Sequence, residues 1–403
     1  MRVTTNMSYQ SSMRALQKAS ERLDKASEQM TTGDKFATAG EDPTGMAQKL
    51  SLTSKITAFQ QYSVNGSLLD SSLTLEGTIL DSVTTNLQSA YTLTQKSVNG
   101  AMSDSDKKSI ASELEQLQTQ LYDLMNSKNA DGEYIFGGNQ SQTQPFVKND
   151  VGDYEFKGDT GQRMIQVAPS VQIAANDSGL SVFQQVATRR TVSSATATDL
   201  TIGVSSQSEF DSFFRNQYDF KIPANNQYTI STTASPVQYQ ITGNNGYTQT
   251  GDYIPGEAIN FNGVSLTMTA AAGSGPAQQF NLDAPANDNV LNSLNKMIEA
   301  LKNSSALTEE EWTSTIANVQ THINNTLDRV GITQGAVGGR QNNLDQIMNS
   351  NSSLQTITSE AKANVSEIDL YEAISNVFLQ ENALTMAQQA FAKVNKSTLF
   401  DYL

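Results

Sequence analysis

Leu16, Ala19, Leu23, Ala26 and Met30 follow one another at spacings of three, four, three and four. That period puts them on one stripe of a helix, and such a stripe is buried only against a second helix. Near the other end Leu370, Ala373, Val377, Gln380, Leu384, Ala387, Phe391, Val394 and Thr398 step by three and four in the same manner. Both stripes set large residues between small ones, which lets a partner helix approach closely. A chain with matching stripes at its two ends folds back on itself, with residues 1–32 antiparallel to about 365–403.

Between the stripes the pattern is helical, then β, then helical again. Glu41-Asp42-Pro43 opens a second helix with acids and a proline at its head. Leu52, Phe59, Gly66, Leu73, Leu80, Leu87 and Thr94 then recur every seven residues. Local weakness is expected at Gly66 and Gly77, since glycine costs about 1 kcal/mol against alanine in a helix interior. Residues 103–129 form the cleanest helix, with Ile110, Leu114, Leu117, Leu121 and Leu124 on one face and Ser103-Asp104-Ser105-Asp106 as cap. From Asp131 onward short alternating runs are split by Gly, Asn and Asp. Residues 134–136, 154–156, 165–167, 171–173, 218–220, 228–230, 237–241 and 264–268 read as strands. Asn244-Asn245-Gly246 and Asn262-Gly263 read as hairpin turns. Residues 187–208, rich in Ser, Thr and Ala, read as a connector, and 208–216 as a short helix. Helix returns at about 287 and again from Thr308-Glu309-Glu310-Glu311, continuing past Gly331, Gly335, Gly338 and Gly339.

The fold class expected is therefore α+β: a long α-helical coiled-coil rod built from both the N- and C-terminal segments, with a β-rich domain inserted in the middle. Its parts are a terminal helical domain of residues 1–40 and 365–403, a helical rod of 41–135 and 286–364, and a β-rich outer domain of 136–285. The last is divisible into sub-units at 136–186 and 217–285.

Composition removes most chemistry. The 403 residues hold no Cys and one His, which excludes a thiol nucleophile, a disulfide scaffold and any Cys- or multi-His metal site. A net charge of −15, with no Lys or Arg between Lys221 and Lys296, argues against nucleic acid, whose phosphates need clustered cations. No window holds the roughly 20 apolar residues of a membrane span, and the polar start has no apolar signal core. The residues AVILMFWYC make up only 37%, thin for a compact globule, so part of the surface is expected to await other copies of the chain.

Individual candidates read as structural. His322 lies among Thr321, Asn324 and Asn325 without an orienting carboxylate and is expected to be a surface or partly buried helix histidine. Trp312 is expected to anchor packing. Glu41-Asp42, Asp104 with Asp106, and Glu309-Glu310-Glu311 suit helix N-termini, where the dipole favours negative charge. Asp150, Asp153 and Asp159 lack the ligand spacing of an EF-hand, and Gly338-Gly339-Arg340 lacks the ending of a phosphate loop. No catalytic, metal or cofactor-binding residue is assigned, and the chain is read as a non-enzyme. An enzyme or sugar-binding module in 136–285 would need an acid pair with aromatic platforms, which the sequence does not offer.

The ends resemble a known family. Met1-Arg2-Val3-Thr4-Thr5-Asn6-Met7 leads into an Ala/Leu/Gln-rich helix, and the Thr32-Gly33-Asp34-Lys35-Phe36 turn precedes Glu41-Asp42-Pro43. Together these are similar to the N-terminal region of the flagellin and hook-associated protein superfamily. Asp34-Lys35-Phe36-Ala37 departs from the family's usual basic pair and Asn after the glycine. Asp131-Gly132-Glu133-Tyr134-Ile135-Phe136-Gly137-Gly138 with Pro145-Phe146, Val337-Gly338-Gly339-Arg340-Gln341-Asn342-Asn343-Leu344, and the ending Ser397-Thr398-Leu399-Phe400-Asp401-Tyr402-Leu403 resemble its hook-associated junction branch. The resemblance implies an extracellular ring of identical subunits joining the first hook-associated protein to the flagellin filament. It also implies export without a cleaved signal, through the flagellar type III apparatus and with an export chaperone; a minor flagellin is the alternative. The candidate self-assembly seam is Leu16, Ala19, Leu23, Ala26 and Met30 with Leu370, Ala373, Val377, Leu384, Ala387, Phe391 and Val394.

Overall fold

The computed structural model describes residues 5–98, 102–194 and 199–396. Helices occupy both described ends and strands the middle, an α+β arrangement. The helices are α1 (Thr5–Thr32), α2 (Pro43–Lys96), α3 (Asp104–Met125), α4 (Gln207–Gln217), α5 (Val290–Lys302), α6 (Glu309–Ser366) and α7 (Leu370–Lys396). Contacts divide the chain into two units, residues 1–68 with 166–172 and 343–403, and residues 69–165 with 173–342. No helix among the described residues is long and apolar enough to cross a membrane.

Helix starts follow cap chemistry. Ser103 and Asp106 exchange bonds in a capping box. Thr308 and Glu311 do the same, Glu311 accepting the Thr308 N–H at 2.9 Å and donating its own N–H to the Thr308 hydroxyl at 3.2 Å. Asp42 Oδ1 accepts the N–H groups of Thr44 and Gly45 ahead of α2. The expected weakness at Gly66 and Gly77 does not break α2. In the first unit Gly66 instead permits a close approach, for a Cβ there would collide with the sulfur of Met348 on α6.

In the second unit the later part of α2 packs with α3, α5 and the earlier part of α6. Leu73, Leu80, Val83 and Leu87 are buried with Leu114 and Leu121, Leu291, Leu294 and Met297, and Ile316, Val319 and Ile323. Polar bonds cross the same interfaces: Gln118 Nε2 donates to the Leu291 carbonyl at 2.9 Å, and Gln334 Nε2 to Asp81 Oδ1 at 2.7 Å. Trp312 is buried, with the Lys107 ammonium 5.1 Å from its ring centroid. His322 departs from expectation: it is fully buried, its Nδ1 2.6 Å from Ser293 Oγ and its Nε2 3.1 Å from the Asp288 carbonyl. Two protein partners meet both ring nitrogens, so the side chain tolerates burial, and the stripe of α6 simply extends to include it.

The strands are β1 (Phe146–Lys148), β2 (Tyr154–Phe156), β3 (Met164–Ala168), β4 (Val171–Ala174), β5 (Val186–Ala187), β6 (Val192–Ser194), β7 (Leu200–Val204), β8 (Gln227–Ala234), β9 (Val237–Gly243), β10 (Thr248–Asp252), β11 (Ala258–Phe261), β12 (Val264–Met268), β13 (Gln278–Leu282) and β14 (Asn287–Asp288). A five-stranded sheet in the order β10-β9-β8-β13-β6 faces a three-stranded sheet β11-β12-β7. Their shared core holds Tyr228, Ile230, Ile241, Phe261, Leu266 and Phe280, with Phe210, Phe213 and Phe214 of α4 plugged into it. Asn262 and Gly263, both at positive φ, turn β11 into β12.

Three local expectations are corrected. Residues 134–136 are not a strand: Ile135 and Phe136 are buried in succession, so the alternation a strand needs is absent. The Asn129 carboxamide also bends this stretch, accepting the N–H groups of Asp131 and Glu133. Residues 218–220 fail likewise, because Asp219 Oδ1 accepts from Lys221 and Ile222 N–H and closes a turn. The 187–208 connector instead contains β6 and β7, whose small residues pair with β13 and β12.

Candidate assembly interface

The terminal helices of the first unit form an antiparallel pair. Tyr9 near the start of α1 and Phe391 near the end of α7 hold their ring centroids 5.4 Å apart. At the other end of the pair, the chain leaving α1 bonds to the chain entering α7. Lys35 N–H donates to the Ser366 carbonyl at 2.7 Å and Ile368 N–H to the Gly33 carbonyl at 2.8 Å, forming an isolated antiparallel bridge between Asp34 and Glu367. Gly33 reaches this rung at φ 72°, a left-handed conformation that glycine adopts without a steric penalty.

Charged side chains fasten the turn. Lys49 Nζ lies 2.7 Å from Asp34 Oδ2, and Lys35 Nζ donates to the Asn364 carbonyl at 2.8 Å. Glu41 accepts the Ala37 N–H at 2.9 Å and meets Lys25 Nζ at 3.0 Å. The Ala37 bond first, and Lys25 second, hold its carboxyl below the usual range. Phe36 is buried against Gly45, where a Cβ would strike its ring. The departure at Asp34-Lys35-Phe36-Ala37 thus has its own logic: each of these four residues is used in the turn.

Along the pair, Ala26 and Ala373 are buried, while Leu16, Ala19, Leu23, Val377, Leu384, Ala387 and Phe391 are half-buried. Met30 lies at the margin, and Leu370 is exposed. The side chain of Val394, residues 1–4 and residues 397–403 lie outside the described part. Sequence reasoning missed Tyr9 and a second apolar set on α7. Tyr371 is 85% exposed, Phe378 61%, Leu379 63% and Met386 71%. The signal was available: Leu370, Ile374 and Phe378 are spaced by four, and Leu379 and Met386 by seven. A helix apolar on more than one face is one that is covered on more than one side.

No group of three or more His, Asp or Glu able to hold a metal occurs among the described residues. What the arrangement offers is apolar surface beside a polar-stapled turn.

A family model described as the bacterial flagellin N-terminal helical region matches residues 3–141. Flagellar hook-associated protein 3 of Escherichia coli (strain K12) is 28% identical over 173 residues, 43% of this chain and 54% of that protein. The protein of the same name from Salmonella typhimurium is 29% identical over 146 residues, 36% of this chain and 46% of that protein. The chain is similar to flagellar hook-associated protein 3 of both organisms. It spans about half the length of these curated relatives. The fold is shared with the flagellar hook-associated protein-3 crystal structure from Legionella pneumophila, at a TM-score of 0.61 and 22% identity, over 78% of this chain and 98% of that one. Xanthomonas campestris FlgL gives 0.55 and 21%, over 74% and 99%.

Proposed function

We propose that this chain is a structural, non-enzymatic component of the bacterial flagellum, a hook-associated adaptor that joins the hook, through the first hook-associated protein, to the flagellin filament. In this reading identical subunits assemble into a ring outside the cell. Each is exported through the flagellar type III apparatus, with an export chaperone holding it beforehand. Residues 1–40 and 365–403 form the assembly-dependent part, 41–135 and 286–364 a helical coiled-coil rod, and 136–285 the outer β-rich part. The names of the curated relatives support the flagellar setting.

The observation that carries the reading is α7, which meets α1 on one stripe and leaves Tyr371, Phe378, Leu379 and Met386 exposed elsewhere. Apolar surface of this kind gains about 25 cal/mol per Å² when removed from water, and a contiguous patch marks an interaction face. Neighbouring subunits supply the cover. Deletion of the gene tests the reading: the mutant should build hooks, lack filaments and shed flagellin monomers into the medium. Filaments that persist in shortened or altered form would instead make the chain a minor flagellin.

A further inference from the structure

Three charged side chains meet in the second unit, where a strap leaving β4 crosses α2 and α6. Glu76 of α2 is fully buried. Its Oε1 accepts the Asp177 N–H at 2.9 Å, and its Oε2 has no hydrogen-bond partner. Asp177 sits on the strap ahead of the π-helical turn Leu180–Gln184. Its Oδ2 pairs with the Arg340 guanidinium of α6, and its Oδ1 accepts from Gln162 Nε2 at 2.6 Å. Arg340 also donates to the Ala174 carbonyl at 3.2 Å. The charges that act on Glu76 are therefore Asp177 from the strap and Arg340 from α6; nearby, Arg163 is paired with Glu133. Two carboxylates lie in the field of one guanidinium, Glu76 fully buried and the Asp177–Arg340 pair mostly so. The cluster is neutral only while one carboxylate keeps a proton, and burial favours that proton on Glu76.

We propose that Glu76, Asp177 and Arg340 form a proton-operated latch: with Glu76 protonated the strap at residues 174–179 is fastened to α2 and α6, and ionisation of Glu76 loosens it. The geometry sets the direction. An ionised Glu76 adds an uncompensated charge to a buried site and repels the carboxylate that anchors the strap. Burial first, and the charge of Asp177 second, push its carboxyl up to about 7, while Arg340 and the Asp177 N–H pull only part of the way back. A carboxyl held above its solution value of 4.5 binds its proton more tightly in the closed state than in the open one. Closure is then strongest at low pH and weakens as pH rises through the interval between the two values, levelling off above about 7.

Between pH 6 and pH 8 the open fraction should rise about tenfold. Amide hydrogen exchange at Asp177 and Gly179 in the full chain, corrected for intrinsic rates, reads this directly. Wild type is expected to lose about tenfold protection over that interval. Glu76→Gln keeps an acceptor for the Asp177 N–H without the charge and should abolish the difference, whereas the same pH dependence in Glu76→Gln would overturn the latch. Carboxyl NMR titration of Glu76 in the unaltered protein tests it without relying on a variant. A midpoint near 7 that falls in Asp177→Asn supports the shared guanidinium. A wild-type midpoint near 4.5, or one that stays put in Asp177→Asn, overturns it.

Discussion

The terminal helix pair and the four-helix core of the second unit use the same residues at the same spacing and reach opposite states. α5 buries nine of its thirteen residues. α1, twice as long, buries Ala26 alone among its described side chains, and α7 buries Ala373 alone. Periodicity names the apolar face of a helix; it does not say how many neighbours cover that face. α5 has α3 and α6 against it within one chain. α7 has α1 on one stripe and, in our reading, finds the rest of its cover in other subunits. The contrast separates helices that fold from helices that assemble, and it can be broken in several ways.

The largest effect is expected from replacing Leu384 and Phe391 together by Asp. Charges on the half-buried stripe should abolish assembly and motility while the second unit melts as in wild type, since neither residue belongs to it. Normal motility in the double variant would remove the seam from the interface. Next, Leu294→Ala in the core should cost the isolated chain about 2–5 kcal/mol, the usual price of a buried cavity. Leu16→Ala, on a stripe already open to water, should cost it less than ~1 kcal/mol. Similar losses by chemical denaturation at the two sites would erase the distinction between the regions.

Acid should also divide them. Burial, outweighing Asp288, holds the His322 imidazole below its ordinary 6.5. A histidine depressed in this way stabilises fully above 6.5 and loses that contribution as pH falls through the folded value. The His322 contribution to core stability should therefore fall on acidification toward pH 5, against the opposite trend of Glu76, and His322→Gln should remove that loss; helicity of α1 and α7 should not follow the same curve. A small effect also belongs to Ser103→Ala, which removes one half of the α3 capping box and should lower core stability by about 1 kcal/mol. A loss confined to the terminal pair would show that the regions are coupled more tightly than their burial suggests.

Much of this was legible in the sequence, for identifiable reasons. The two stripes, the long helices and their caps rest on local periodicity and on cap residues within three positions, which are visible without a structure. The strands at 228–230, 237–241 and 264–268 were readable because Asn262-Gly263 and Asn245-Gly246 mark where the chain turns, while β10 and β11 between them were not read. Residues 134–136 and 218–220 misled because their apolar runs look like strands, while the carboxamide of Asn129 and the carboxylate of Asp219 bend the backbone instead. β6 and β7 hid for the converse reason: their Ser, Thr and Gly gain strand character only from β13 and β12, some sixty to ninety residues away. At the candidate interface Tyr9 was missed because its partner Phe391 lies at the far end of the sequence. The Glu76 cluster was invisible, since its three members come from elements that only the fold brings together.

The hydrogen bond from Lys35 to Asn364 joins positions 329 residues apart, and that separation orders events in time. While the chain emerges, α1 has nothing to pair with until α7 has been made. Closing so large a loop from an unstructured chain costs on the order of 5 kcal/mol in configurational entropy. Once α2 and α6 are laid together with Gly66 against Met348, the two sides of the turn are already close and the effective loop is short. Nucleation is then expected among the more local pairings of the middle, with the α1–α7 rung among the last contacts to form. A chain with this topology stays longest in the unpaired state at the helices that its neighbours must reach.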